Sequence, residues 1–235
     1  MIWLITLSAC ANKPVPPEPP TPAPAAAVAP IQAHMAEHLS RATAIRDAVV
    51  WGDFDGARAG FQWVVDHEDA AGLPALGNNW LGALRDSATA GVAAESLSAQ
   101  AVALGELANT CGGCHQTLST RPLLPELPSP APGAGLHPHM ARHHWANDRM
   151  WAALVEPSAA AWERSLRVLS DDGLSAAQRA EWGLHDGAEV RDQAVHRLAH
   201  AALADDNPDT RADLYGQIVA ECAACHRAAR GEPPR

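Results

Sequence analysis

The chain of 235 residues carries 17 Lys and Arg against 27 Asp and Glu, a net charge of −10. That excess of acid argues against nucleic acid as a partner, which calls for a basic stripe, and favours protein partners with a basic docking patch. Ala and Leu abound beside one Tyr and two Phe, the composition of a soluble all-α protein, and four of the five cysteines fall in two closely spaced pairs, leaving none to build a structural disulfide.

Residues 1–10 end in Leu7-Ser8-Ala9-Cys10, which resembles the lipobox of bacterial lipoproteins. The resemblance implies a signal segment over 1–10, acylation of Cys10, and a periplasm-facing protein held to the outer or inner membrane by a lipid anchor only. The other reading is an ordinary N-terminal tail. The apolar run from Met1 to Leu7 is too short to cross a bilayer, which takes about 20 residues. Residues 11–30 are mostly Pro and Ala and read as an extended tether.

Ile31 opens the first helical pattern, which runs to Trp51. Its seam is Ile31, Met35, His38, Ala42, Ile45 and Val49, the inward stripe of a bundle helix. Asp53 reads as the N-cap of a second helix carrying Phe54, Ala57, Phe61, Val64 and Val65, and Gly72-Leu73-Pro74 ends it. A third helix is expected near 79–89, and a fourth from about Ser96 into Cys111-Gly-Gly-Cys114-His115. The segment from Leu118 to Pro138 holds six prolines and two glycines and reads as a linker, which sets domain boundaries at 31–120, 121–138 and 139–235.

The pattern then recurs. His34-Met35-Ala36-Glu37-His38 returns as His139-Met140-Ala141-Arg142-His143, 105 residues on, and the cysteine motif returns as Cys222-Ala-Ala-Cys225-His226, 111 residues on. The second seam is Leu136, Met140, His143, Asn147, Met150 and Leu154. Helices are expected over 139–155, 158–170, about 175–200 and 209–229, the last capped by Asp209. The sequence therefore predicts two tandem four-helix bundles, each ending in Cys-x-x-Cys-His.

Cys-x-x-Cys-His is the attachment signature of a c-type haem. Two thiols one helical turn apart form thioethers with the porphyrin, and the adjoining histidine ligates iron. A single Cys-x-x-Cys also fits half a zinc site or a redox dithiol; two copies, each with its histidine, favour two covalently attached haems. Architecture and motif position together resemble the cytochrome c-prime family and its low-spin relatives, across residues 31–120 and 139–230. The resemblance implies Cys111, Cys114, Cys222 and Cys225 as thioether residues, His115 and His226 as proximal iron ligands, and a first helix facing the distal side.

For the distal position the seams offer His38 and His143, or alternatively Met35 and Met140, or an open site. His34 and His139 fall off the seam and read as solvated. His67, His137, His144, His185, His196 and His200 read as surface or helix-face residues. The i, i+4 pair His196 and His200 has metal-binding spacing but no third ligand in sequence. Trp51, Trp63, Trp80, Trp145, Trp151, Trp162 and Trp182 read as core filler. Arg41, Arg46, Arg142 and Arg149 read as solvated or propionate-pairing. The expected function is electron carriage and not enzymatic turnover. The alternatives are nitric oxide or carbon monoxide sensing, or a haem peroxidase, both of which need an accessible iron.

Overall fold

The computed structural model describes residues 25–67, 72–122, 124, 128–133, 135–171, 173–181, 186–205 and 207–232. Cys10, the signal segment, most of the tether, Trp182 and His185 lie outside them. The fold is all-α, with no strand among the described residues.

The first repeat contributes α1 (Ala25–Val50), α2 (Phe54–Asp66), α3 (Ala75–Ala93) and α4 (Leu97–Thr117). The second contributes α5 (Leu136–Val155), α6 (Ala159–Leu169), α7 (Ala176–Glu181), α8 (Asp186–Leu203) and α9 (Arg211–Ala229). Consecutive long helices pack side by side in each repeat, α1 on α2, α2 on α3 and α3 on α4, then α5 on α6, α6 on α8 and α8 on α9. One hydrophobic core runs through both repeats, from Ile45, Phe61 and Leu104 to Met150, Leu166 and Ile218.

Local chemistry sets the helix starts. Asp53 caps α2 by accepting from the Gly56 N–H at 2.9 Å, Ser96 caps α4 through Ala99 at 3.1 Å, and Ser158 caps α6 through Ala161 at 3.3 Å. The expected boundaries differ at several points. α1 begins at Ala25, inside the segment read as tether, because Ala-rich sequence is the best helix former available. α3, expected near 79–89, runs from Ala75, directly after Pro74, to Ala93. Where one helix was expected over 175–200, α7 and α8 are described as separate elements. Asp209 does not cap α9; it lies in a 3-10 turn, Pro208–Thr210, which Asn207 caps.

The seams of α1 and α5 are graded. Ala42, Ile45 and Val49 are buried, as are Asn147, Met150 and Leu154, whereas Met35, His38, Met140 and His143 are half-buried toward the helix starts. Asn147, a polar residue on the seam, accepts at 3.0 Å from the Tyr215 hydroxyl inside the core. Arg46 is also buried, 2.8 Å from Asp148 across the repeats, and so is committed to the fold.

α4 and α9 form the most extensive helix pair. A Cβ on Gly105 would lie 2.2 Å from the Ala212 carbonyl oxygen, and a Cβ on Gly216 would lie 2.9 Å from that of Ala101. These two contacts are related by the same 111-residue offset as the cysteine motifs. The repeats therefore meet about a pseudo-two-fold axis between antiparallel helices, at the only residue type that allows so close an approach. In this register Cys222 comes level with position 95, sixteen residues before Cys111. The motifs thus lie at opposite ends of the pair, separated by roughly 24 Å at 1.5 Å per residue.

Candidate functional site

The four motif cysteines are free thiols, Cys111 and Cys114 in the last turns of α4, Cys222 and Cys225 in those of α9. Burial pushes Cys111 and Cys222 up to about 12 and Cys225 up to about 11, and raises Cys114 as well. A reactive redox dithiol needs the opposite shift, toward the thiolate, so the dithiol-exchange reading loses support. Among the described residues, no group of three or more converging metal donors includes these cysteines.

Each motif histidine is anchored by the other repeat. His115 Nδ1 lies 2.8 Å from the Val155 carbonyl oxygen, and His226 Nδ1 lies 2.8 Å from that of Val50. Val50 ends α1 and Val155 ends α5, again related by the 105-residue offset. The helix ends explain why these oxygens are available. At the end of α1, the Gly52 N–H bonds Val49 and the Asp53 N–H bonds Ala48, a Schellman arrangement with Gly52 at a φ of +74. That closes the helix and leaves the later carbonyls without intrahelical donors. α9 and its C-cap supply the missing donors: His226 to Val50, the guanidinium of the C-cap Arg230 to Trp51 at 2.7 Å, and Arg227 to Gly52 at 3.2 Å.

An Nδ1–H···O=C bond fixes the tautomer and leaves Nε2 with its lone pair, the arrangement in which a ring-nitrogen ligand meets a metal. Burial, the largest cause, also lowers the pKa of His226, which favours the neutral ring. Trp51, far from being core filler, is 60% exposed and stacks on His226 at 4.6 Å. Its counterpart in the second repeat is Glu156, so the two motifs differ on this side.

The first-helix histidines do not stand alone. His34, His38 and His67 bring one nitrogen each within 4.8 Å of one another. Trp63 stacks on His67 at 4.0 Å. In the second repeat His139, His143, Asp192 and His196 converge within the same limit. His139 Nε2 is 2.9 Å from Asp192 Oδ1, and His196 Nε2 is 3.5 Å from the same oxygen. His34 and His139, read as solvated, are half-buried members of these groups, and His196, read as a surface residue, is buried. His200 is exposed, so its pairing with His196 is not the one the fold uses; Asp192, also four residues away, takes that place. Met35 and Met140 are half-buried. Arg142 pairs with Asp171 and donates to the Val168 carbonyl, and Arg41 lies over Trp63 at 5.0 Å.

No family model, curated protein or solved structure matches this chain. The site must be judged on its own chemistry.

Burial first, then the neighbouring His139, lowers the pKa of His143 from 6.5 to about 3. Its Nε2 is buried without a hydrogen-bond partner among the described residues. Burial alone would raise Asp192, but the hydrogen bonds from His139 and the Leu174 N–H, with the His196 ring close by, hold it well below the usual carboxylate range. His143 also feels the charge of His226, which sets the α5 histidine and the second motif in one electrostatic neighbourhood.

A pH dependence follows. The folded chain keeps His143 neutral down to about 3, while the unfolded chain protonates it near 6.5. Below that value the unfolded state binds more protons, so stability is complete above it and falls as pH drops. The loss from this residue is about 2 kcal/mol by roughly pH 5. For the haem- and metal-free chain, a thermal midpoint lower by about 4–8 °C at that pH than in neutral buffer is the expected result, on the scaling for a chain of this size. A midpoint unchanged over the same interval would mean that His143 is not held neutral.

Proposed function

We propose that the chain is a two-haem c-type cytochrome that carries electrons, built as two four-helix repeats, each ending in an attachment motif. The observation that carries this reading is the reciprocal anchoring: His115 on Val155 and His226 on Val50, each at 2.8 Å through Nδ1. Nothing in a dithiol or a half-zinc site requires the histidine after the second cysteine to be oriented in this way.

The residues fit the group. Cys111 and Cys114, and Cys222 and Cys225, would carry the thioether links, one turn apart on one helix face. His115 and His226 would hold iron through Nε2. His143, with its buried and unpartnered Nε2, supports the histidine reading of the distal side of the second site, and His38 is its counterpart on α1. Bound haem supplies a one-electron couple whose potential depends on its axial ligands.

The rest of the work falls to the protein. The Val50 and Val155 carbonyls orient the proximal rings and increase their basicity. The separation of roughly 24 Å along α4 and α9 keeps the two sites apart, so each exchanges electrons at its own end of the molecule. Net acidity would steer a redox partner that presents a basic patch. Acylation of Cys10 would add a lipid anchor facing the periplasm; none of the described helices is long and apolar enough to cross a membrane.

The test is expression of the full chain with a c-type haem maturation system, followed by haem quantification and visible spectra. Two covalent haems per chain, with sharp low-spin bands unmoved by carbon monoxide, are expected. A haem-free product would overturn the reading. Bands that shift with carbon monoxide would overturn the carrier assignment in favour of gas binding or peroxide chemistry.

A further inference from the structure

Among the described residues, the second repeat gathers a carboxylate with three histidines, where the first gathers three histidines. His139 and His143 stand four residues apart on α5, and Asp192 and His196 stand four residues apart on α8. That spacing puts each pair on one helix face. The facing helices bring three imidazoles and one carboxylate together, with one ligand atom from each within 4.8 Å of the others. Asp192 and His196 are buried, at 6% and 9% exposure.

The grouping is under-satisfied in a specific way. Within it only His139 and Asp192 form a hydrogen bond, at 2.9 Å. His143 Nε2 and both ring nitrogens of His196 are buried without a hydrogen-bond partner among the described residues. Buried lone pairs of this kind normally find a proton donor, a water or a metal. A core stripe would place apolar side chains here, and a solvated patch would leave the groups exposed.

We propose that His139, His143, Asp192 and His196 form a mononuclear site for a divalent transition metal of the zinc type. Three imidazole nitrogens and one carboxylate oxygen, with no thiolate, match the borderline preference of zinc. Metal–ligand bonds of about 2.0–2.1 Å in a tetrahedron place donors about 3.3 Å apart, which side-chain adjustment on two fixed helices can reach from the observed grouping. The Leu174 N–H bonds Asp192 Oδ2 at 2.9 Å, leaving Oδ1 directed to the histidines, the outer-shell orientation that metal carboxylates use.

This site and the proposed haem site share His143, which serves one metal at a time. Where His143 serves iron, the other three donors remain with an open fourth position.

The experiment uses the full-length, tag-free chain as purified, stripped with a chelator and titrated with zinc chloride by calorimetry, with bound metal counted after dialysis. Asp192→Asn and His196→Gln, which preserve side-chain shape, are compared with the parent, and circular dichroism verifies their helix content. Each variant is expected to bind one zinc fewer than the parent, or to bind it more than about a hundredfold more weakly, since even an outer-shell partner is worth ten- to a hundredfold. His34, His38 and His67 are intact in both variants, so any zinc they take up serves as an internal reference. Equal uptake by parent and variants, or none by the parent, overturns the proposal. Haem content measured on the same samples reports separately on the cytochrome reading: haem without this zinc refutes the metal site alone, and zinc without haem refutes the cytochrome alone.

Discussion

Gly105→Val is expected to destabilise the whole molecule by about 3 kcal/mol or more, at the top of the range for overpacked positions. Glycine inside a helix ordinarily lowers stability, and replacing it should recover part of about 1 kcal/mol. Here the added Cβ meets the Ala212 backbone oxygen at 2.2 Å, and a carbonyl fixed in the ladder of α9 cannot rotate away. The helices must part, and their axis is the junction between the two repeats. Gly216→Val at the related position should act in the same direction through Ala101 and Val102, with a contact of 2.9 Å and so a smaller loss. The two substitutions open one interface, so the double variant should lose less than the sum of the single losses. Urea unfolding of all three variants checks this; a Gly105→Val chain as stable as the parent would mean that α4 and α9 do not approach so closely.

Much of this arrangement could be read before any coordinates. The 4, 3, 4, 3, 4 spacing on the first helix of each repeat marks residues whose C-terminal half is indeed buried, because a helical stripe must face its neighbours. Asp53, Ser96 and Ser158 mark helix starts because a side-chain oxygen must satisfy an N–H there. The anchoring of His115 and His226 was not legible, because its acceptors are backbone carbonyls, which every residue type carries. The repeat offset could show that Val50 and Val155 correspond; it could not show that each faces the other repeat.

The histidine groups lie between these extremes. His34 and His38, like His139 and His143, are four residues apart, so helical geometry alone places each pair on one face. A strict seam excluded His34 and His139 because it is narrower than the half-buried stripe these helices present. His196 has two partners at equal spacing, Asp192 and His200. Only the packing of α8 against its neighbours decides that Asp192 turns inward and His200 faces solvent. His67 enters its group from the C-terminal cap of α2, where no periodicity operates.

His143→Ala should alter the haem-loaded protein as strongly as any single change outside the attachment motifs. In the reading proposed above, its buried Nε2 is the distal ligand on the side of Cys222, Cys225 and His226. Removing it leaves one site of two with an open position, so about half of the haem should turn high-spin and bind carbon monoxide, while the site of Cys111, Cys114 and His115 keeps its low-spin bands. His38→Ala should produce the same partial change at the first site, and the double variant should convert both. Met140→Leu and Met35→Leu distinguish the alternative. Methionine ligation predicts that these open the sites, because they remove the sixth ligand, and that the histidine variants leave the spectra low-spin. The two sites differ in their surroundings, with Asp192 and His196 beside His143 and with Trp63 and His67 beside His38. Unequal potentials in a redox titration of the zinc-free parent are therefore expected, the second site being lower because a buried carboxylate next to the distal group stabilises the oxidised, more positive iron.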